Sequence, residues 1–184
     1  MKSEVYREPN KELIEALKSG DHSAFTQVYS LYRDRIYSLS LHMIHSPDDA
    51  GELTQQIFVK LNSLSHSFEY RSSFSTWLYR LSMNTCYDYM RKKKRRRTIS
   101  YNELSDWTLS HEQPERIEVA QAVHNALQLL RPKLRIVMVL KYVEDLSYAK
   151  IAEVLGCSIG TVGSRLNRGH QFLAKELAHL RNVK

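Results

Sequence analysis

The segment Ser147-Tyr-Ala-Lys-Ile-Ala-Glu-Val-Leu-Gly-Cys-Ser-Ile-Gly-Thr-Val-Gly-Ser-Arg-Leu-Asn-Arg168 predicts two short helices joined by a tight turn, the helix-turn-helix arrangement. Ile151, Ala152 and Leu155 recur at the spacing that places them on one face of the first helix. Gly156 follows this face and permits the left-handed backbone conformation in which many helices end. The function of this helix-turn-helix is therefore inferred together with the rest of the sequence.

The second helix of the segment has one apolar face and one polar, basic face. Ser158 is of a residue type that caps helix N-termini. The predicted apolar stripe comprises Ile159, Val162, Leu166, Leu173 and Leu177. The opposite face carries the donors and acceptors that a helix needs in a DNA major groove, namely Thr161, Ser164, Arg165, Arg168 and Gln171. Two helices that only pack closely are an alternative, because this pattern has many false positives.

The composition indicates a folded, basic protein. A chain of 184 residues with 42% hydrophobic residues is long enough for one ordinary domain or two small ones, and the helical patterning favours two. The formal net charge of +7 favours a polyanionic partner, either nucleic acid or an acidic membrane surface. Charge alone does not separate these two partners.

Cysteine usage and hydropathy point to a reducing compartment. Cys86 and Cys157 both lie within helical patterns, so neither a disulfide framework nor a Cys-rich zinc site is predicted. Residues 1–9 lack an apolar signal core, and the longest apolar run, residues 136–140, is far too short to cross a bilayer. We therefore expect a cytoplasmic protein that is neither secreted nor stably inserted in a membrane.

Six glycines, four prolines and apolar positions that recur every three or four residues predict an all-α fold without strands. A first helix is predicted at residues 10–18 and a second from residue 21 or 22 to about residue 45. The stretch Ser46-Pro-Asp-Asp49 combines a Ser cap, a Pro at the first helical position and an acid three residues after the cap. It therefore begins a third helix, which is predicted to end at about residue 63.

The third helix presents two different faces. The side expected to meet a core comprises Ala50, Leu53, Ile57, Phe58, Leu61 and Leu64. The opposite side, called the docking face below, comprises Asp49, Glu52, Gln55, Gln56 and Val59. A solvated helix surface is the default interpretation, but an acidic face on so basic a protein is equally suited to binding a partner.

A loop is predicted at residues 62–73, followed by a long helix from Phe74 that has apolar residues on two sides. Between those sides runs the polar strip Arg80, Asn84, Tyr87, Asp88 and Arg91, with Trp77 at its margin. Cations and amides beside aromatic rings suit single-stranded nucleic acid, whose bases stack while its phosphates are neutralised. Alternatively, Trp77 simply belongs to the core.

The long helix ends in the basic run, seven consecutive Arg and Lys residues at 91–97. Like charges repel, so this run either stays solvated, serves as a localisation patch or contacts phosphates. Phosphate contact is favoured because the run continues from the polar strip.

A polar stretch at residues 98–113 then predicts a linker, and Pro114 and Pro132 each begin a further helix. The inward side of the helix from Pro114 is predicted to comprise Ile117, Ala120, Val123, Leu127 and Leu130. The helix from Pro132 is predicted to pack through Leu134, Val137, Met138 and Tyr142.

Three motifs in series resemble one known family. They are Asp49-Ala-Gly-Glu-Leu-Thr-Gln-Gln-Ile-Phe58, then Phe74-Ser-Thr-Trp-Leu-Tyr-Arg-Leu-Ser-Met-Asn84 with Asp88 and Arg91, and then Leu130-Arg-Pro132 with the helix-turn-helix. In order and spacing, over about residues 21–177, they are similar to the sigma-70 family, specifically its extracytoplasmic-function (ECF) group. Three motifs in series are far more specific than any one of them.

The resemblance implies a bacterial sigma factor with two small helical domains and a flexible linker. Region 2 is expected at residues 1–97, the linker at 98–113 and region 4 at 114–184. The implied partners are core RNA polymerase, promoter DNA and, as is common in the family, an anti-sigma factor, in a stress or envelope response. The resemblance implies no covalent chemistry and thus no enzyme. No cofactor or metal ion is expected, and His42 with His45 is interpreted as helix surface rather than a metal pair.

Carried over position by position, the resemblance assigns three sets of contact residues. The set for docking on core polymerase is Asp49, Glu52, Leu53, Gln55, Gln56, Phe58 and Val59. The set for the melted minus-10 element is Ser67, Arg71, Ser72, Trp77, Arg80, Asn84, Asp88, Arg91 and Lys92. The set for the duplex minus-35 element is Ser158, Thr161, Ser164, Arg165, Asn167 and Arg168.

Three residues depart from the family pattern. Gln56 replaces a common Glu on the docking face. Gly163 replaces a common Lys or Arg, which removes a phosphate contact and lowers helix propensity by about 1 kcal/mol relative to Ala. Lys150 replaces a Glu that would complete a capping box with Ser147. Together they predict an unusual, weaker minus-35 interaction.

Two other classes stay open at this point. A stand-alone helix-turn-helix repressor would bind duplex DNA without polymerase and would have no use for the docking face. A basic membrane-surface protein would bind liposomes and show no promoter preference.

Overall fold

The computed structural model describes residues 8–97, 114–178 and 180. All regular structure in these residues is helical, which confirms the all-α fold class. The α-helices are α1 (Lys11–Lys18), α2 (His22–Ile44), α3 (Pro47–Leu64), α4 (Phe74–Arg97), α5 (Pro114–Leu129), α6 (Pro132–Tyr142), α7 (Tyr148–Leu155) and α8 (Ile159–Glu176), and a 3-10 turn covers Ser65–Ser67. The linker predicted at residues 98–113 lies outside the described residues. No helix in the described chain is long and apolar enough to cross a membrane.

Local capping signals explain where the helices begin. Asn10 accepts a hydrogen bond from the Leu13 amide at 2.9 Å, and Asp21 accepts one from the Ala24 amide at 2.8 Å. Ser46 caps α3 with Pro47 at the first helical position, as predicted. These side chains satisfy amide groups that would otherwise lack a partner in the first helical turn.

The third helix runs one residue past its predicted end, and the 3-10 turn extends the helical backbone to Ser67. The loop predicted from residue 62 therefore starts only at Phe68. Ser65 explains the extension, because its buried hydroxyl donates to the Leu17 carbonyl at 3.3 Å and to the Asn62 carbonyl at 3.0 Å. These bonds tie the end of α3 to α1.

The first bundle, α1–α4, packs around a core of aliphatic and aromatic side chains. The largest fully buried members are Leu17, Ile36, Leu39, Met43, Leu53, Ile57, Leu61, Phe74, Leu78 and Tyr79. Helix α4 is buried from two directions, as predicted, since Leu78 and Cys86 are both fully buried. The prediction of Leu64 as a core residue is wrong, because its side chain is 40% exposed at the end of α3.

The second bundle, α5–α8, is built on α6, whose residues 135–140 are all buried. Ile151 and Ala152 of α7 and Val162 and Leu166 of α8 pack on the same core. Gly169 permits a close approach here, because a Cβ at that position would lie 2.8 Å from the Met138 sulfur.

Three predicted core positions in the second bundle are wrong. Ile159 is 54% exposed because it starts α8, ahead of the turns that pack on α6 and α7. Val123 is 36% exposed, and its neighbours His124 and Ala126 are buried instead, so the inward face of α5 is rotated from the predicted one. Tyr142 is 59% exposed, and its hydroxyl lies 2.6 Å from the Nε2 atom of His170. The side chains of Ile117 and Ala120 lie outside the described part of the chain.

The two bundles contact each other through α2 with α5 and α6, and through α4 with α7. The hydroxyl of Tyr79 on α4 donates to the buried carboxylate of Glu144 at 2.5 Å. The guanidinium of Arg135 on α6 donates to the Met43 carbonyl in the last turn of α2 at 2.7 Å. Polar groups from both bundles are therefore satisfied across a common interface, which the sequence did not predict.

Candidate nucleic-acid and protein interfaces

The helix-turn-helix forms as the sequence predicts. Ser147 accepts a hydrogen bond from the Lys150 amide at 3.2 Å, and Ser158 accepts one from the Thr161 amide at 3.1 Å. Gly156 adopts the left-handed conformation between the helices, with φ of 60°. On α7 it is Val154 that is fully buried beside Ile151, whereas the predicted core residue Leu155 is half-buried.

The outward face of α8 presents the predicted minus-35 residues. Ser158, Ser164, Asn167 and Arg168 are exposed, while Thr161 and Arg165 are half-buried. The space beside Gly163 is open, since a Cβ there would meet no atom within 4 Å. The face is therefore polar, cationic and accessible at its Arg168 end, as a major-groove reader requires.

Arg165 is half-buried, and its positive charge acts on the polar strip of α4. Burial raises the pKa of the Tyr87 hydroxyl on α4 to about 12, and the positive charge of Arg165 acts in the opposite direction.

The polar strip on α4 is continuous. Arg80, Asn84, Asp88 and Arg91 are all exposed, and Arg91 pairs with Asp88 at 3.2 Å. Lys92 is exposed beside them. The structure thus brings the helical members of the predicted minus-10 set together on one surface.

The other predicted minus-10 residues lie in the 3-10 turn (Ser67), in the loop that follows it (Arg71 and Ser72) and in the first turn of α4 (Trp77). Ser67 and Arg71 are exposed and Ser72 is half-buried. Arg71 pairs with Glu69 at 2.7 Å. Trp77 is half-buried, with its ring centroid 5.5 Å from that of Phe68 and 5.6 Å from that of Phe74. Trp77 therefore belongs partly to the aromatic core, which was the alternative interpretation, and keeps part of its surface for contact.

Helix α7 of the second bundle covers one end of the polar strip. The Arg80 guanidinium donates two hydrogen bonds to the Glu153 carbonyl, at 2.6 and 3.2 Å. A cavity of about 260 Å³ lies between the helices, lined by Arg80, Met83, Asn84, Tyr87, Val154, Leu155 and Gly156. In this arrangement the strip is in contact with the chain's own second bundle.

Lys150, one of the departures from the family pattern, has a role in this contact. Its ammonium group donates to the Ser73 hydroxyl at 2.5 Å and pairs with Glu153 at 3.4 Å. Ser73 precedes α4, so Lys150 joins α7 to the start of the helix that carries the polar strip. A glutamate at this position would complete the capping box but would not supply the cation.

The docking face of α3 divides into exposed and internal residues. Glu52, Gln55, Gln56 and Val59 are exposed, with Val59 at 68%. Gln56 donates to Glu52 at 3.0 Å. Leu53 and Phe58, assigned to docking through the resemblance, are only 1% and 3% exposed. They hold α3 on the core and do not themselves offer a contact surface.

Asp49, the first residue of the docking face, is engaged inside the chain. Its carboxylate lies 2.5 Å from the Lys93 ammonium, at the start of the basic run. Burial raises the pKa of Asp49, but hydrogen bonds from Lys93 and Tyr89 and the charge of Lys93 outweigh burial, so that the pKa is lowered. The pair ties the end of α4 to the start of α3.

Sequence reasoning missed a buried histidine pair. The expectation that His45 lies on the helix surface is wrong, because it is 7% exposed and its Nδ1 atom lies 3.0 Å from Nε2 of His124. The two residues are 79 positions apart, and no local pattern links them. Among the described residues, no group of three or more His, Cys, Asp or Glu side chains is arranged to hold a metal ion.

The chain has two helical bundles, a helix-turn-helix, a polar strip and an acidic docking face. These features are typical of DNA-binding transcription factors. Family comparison agrees with this class. Residues 28–96 match Sigma-70 region 2, and residues 120–173 match Sigma-70, region 4. The chain therefore belongs to the sigma-70 family of RNA polymerase sigma factors, in the ECF group. It binds core RNA polymerase and directs promoter-specific transcription initiation.

Relatives match over nearly the whole chain. The chain is 32% identical to the ECF RNA polymerase sigma factor SigW of Bacillus subtilis (strain 168), over 92% of this chain and 97% of the relative. It is 30% identical to the ECF RNA polymerase sigma-E factor of Escherichia coli (strain K12), over 91% and 94% respectively. Among solved structures, the sigma factor RpoE of Bartonella quintana, in complex with the anti-sigma factor NepR, aligns with a TM-score of 0.70 and 27% identity. The alignment covers 84% of this chain and 96% of that one.

The contact between Tyr79 and Glu144 makes a testable contribution to stability. Replacing Tyr79 by Phe removes the hydroxyl that donates to a buried carboxylate, while keeping the shape of the ring. We expect Tyr79→Phe to lower the free energy of unfolding by about 1–3 kcal/mol, because Glu144 loses a hydrogen-bond donor. Urea unfolding followed by circular dichroism measures this change. Tyr142→Phe removes an exposed hydroxyl and serves as the control, and equal effects of the two variants would contradict the assignment.

Proposed function

We propose that the three surfaces act together at a promoter, with region 2 at residues 1–97 and region 4 at 114–184. The docking face binds core RNA polymerase, the polar strip holds the unpaired non-template strand of the minus-10 element, and the outward face of α8 reads the duplex minus-35 element. The observation that carries this proposal is the exposed, cationic face of α8 on a capped helix-turn-helix, in one chain with the strip on α4.

The polar strip suits a melted strand for physical reasons. Arg80 and Arg91 can neutralise phosphates, and Asn84 offers an amide donor and acceptor to a base edge. The half-buried ring of Trp77 lies beside the strip and can support an unstacked base. Extracting a base from a stack costs a few kcal/mol, so the strip must recover that cost by contacts of this kind.

Because α7 covers the Arg80 end of the strip in the present arrangement, the bundles separate when a strand occupies the whole strip. Separation breaks the bonds of Arg80 with the Glu153 carbonyl and of Lys150 with Ser73. Arg80 therefore serves both in the packing of the bundles and in the proposed binding of the melted strand.

The chain acts as a cytoplasmic initiation factor and not as an enzyme. The names of its relatives, which are RNA polymerase sigma factors, support its role as an initiation factor. An anti-sigma factor is the expected regulator, in a stress or envelope response. The similarity to the Bartonella quintana RpoE, which is bound to the anti-sigma factor NepR, supports that partner.

The docking face is tested at its exposed apolar residue. Val59→Arg places a charge in the middle of the face, and we expect it to weaken binding to core polymerase by tenfold or more, because desolvating an unpaired cation is costly. Leu31→Arg changes an equally apolar residue on α2, 42% exposed, outside the docking face. Fluorescence anisotropy with labelled protein measures both affinities. Equal affinities for the two variants would exclude α3 as the docking helix.

The outward face of α8 is tested at Arg168. Run-off transcription from genomic fragments, with core polymerase in the presence and absence of the protein, first identifies a responsive promoter. Arg168→Ala should then weaken binding of the reconstituted holoenzyme to that promoter by about 1–3 kcal/mol, the usual contribution of a base contact. Lys133→Ala removes an exposed cation from the start of α6 and should leave binding unchanged. No promoter-dependent transcript would refute the proposed function, and unchanged binding by Arg168→Ala would refute the role of Arg168.

A further inference from the structure

The interface between the bundles contains a buried pair of histidines. His45 ends α2 in the left-handed conformation, with φ of 61°, and His124 lies on α5. The two rings meet edge to face, with centroids 4.4 Å apart, and the side chains are 7% and 5% exposed. One residue comes from each bundle, so the pair exists only while the bundles are packed together.

The geometry of the pair accommodates one shared proton. The His45 Nδ1 atom lies 3.0 Å from His124 Nε2, so one ring donates and the other accepts. The remaining ring nitrogen of His45, Nε2, is buried and has no hydrogen-bond partner among the described residues. A second proton on His45 would therefore sit on a nitrogen that has no acceptor.

Among the described residues, the charged and titratable groups that act on the pair all oppose a second proton. They are His42 on α2, whose ring centroid is 6.4 Å from that of His124, and the buried guanidinium of Arg135 on α6. Burial, then Arg135, His124 and His42 lower the pKa of His45 to about 2, and burial, His42 and Arg135 lower the pKa of His124. No carboxylate of the described residues contributes to either pKa.

We propose that His45 and His124 form a pH-sensitive latch, which holds the two bundles together while both rings are neutral and releases them when either ring is protonated. Release uncovers the Arg80 end of the polar strip, and this consequence for promoter binding rests on the proposed function. The latch itself is a property of the free chain. It can be tested without polymerase or DNA.

The direction of the pH effect follows from the two states. In the open state the histidines face water and titrate near their ordinary pKa of about 6.5, whereas the closed state binds no second proton until far lower pH. The closed arrangement is therefore favoured above about pH 6.5 and loses stability as the pH falls. For one histidine, the ratio of closed to open chains falls about tenfold between pH 7.5 and 5.5.

Small-angle X-ray scattering of the full free chain measures the separation of the bundles. We expect the radius of gyration to increase between pH 7.5 and 5.5, while circular dichroism at 222 nm stays constant because the helices remain folded. His22→Gln changes an exposed histidine at the start of α2 and should keep this response. The double variant His45→Asn/His124→Gln should lose it, since neither new side chain titrates and Asn tolerates the left-handed backbone.

Three outcomes would overturn the latch. Equal dimensions of the unaltered protein at both pH values would show that protonation does not open it. An equal pH response in the double variant would assign the opening to other groups. Expansion accompanied by loss of helicity would be unfolding rather than separation. A double variant that is expanded at both pH values still supports the latch, because it has lost both the contact and its pH dependence.

Discussion

One buried guanidinium determines how the helices of this protein meet. Arg135 on α6 donates to the carbonyls of Leu127, Gln128 and Leu130 at the end of α5, and to that of Met43 at the end of α2. These carbonyls lie at the negative ends of the two helix dipoles, so one cation stabilises both helix ends at once. Burial lowers the pKa of Arg135 to about 10, which still leaves it charged at neutral pH. Without this side chain the Met43 carbonyl, at the buried contact between α2 and α6, would lose the hydrogen bond that Arg135 donates.

Helix α4 has one polar surface that packs on α7 and is also proposed to bind DNA. Its apolar sides are buried in the first bundle, so its orientation is fixed, and the polar strip between them is the part left for contacts. In the free chain the strip meets α7, where Arg80 binds the Glu153 carbonyl. At a promoter the same strip is proposed to meet single-stranded DNA. Because α7 lies against the Arg80 end of the strip, a strand bound along the whole strip is proposed to displace α7, so that whatever shifts the packing of the bundles also regulates strand capture.

The sequence predicted what local chemistry determines and missed what distant contacts determine. Caps such as Asn10 and Ser158 act within one helical turn, so helix starts were predicted to within a residue, and the motifs identified the family. Val123 and Ile159 were misplaced because their exposure depends on which neighbouring helix covers them. The bond of Arg135 with Met43 and the pair of His45 with His124 join residues 92 and 79 positions apart, and no spacing rule encodes such contacts. The assignments of individual residues to DNA and polymerase stay predictions.

The proposed displacement of α7 on promoter binding is tested most directly by the distance between the bundles. Dyes on exposed cysteines introduced by Asp34→Cys on α2 and Lys175→Cys on α8, in a Cys157→Ser background, report this distance by energy transfer; Cys86 is buried and stays unlabelled. We predict high transfer efficiency in the free chain at pH 7.5 and a large fall when core polymerase and promoter DNA are added. Unchanged efficiency in the active complex would show that the bundles stay packed, and would contradict the account.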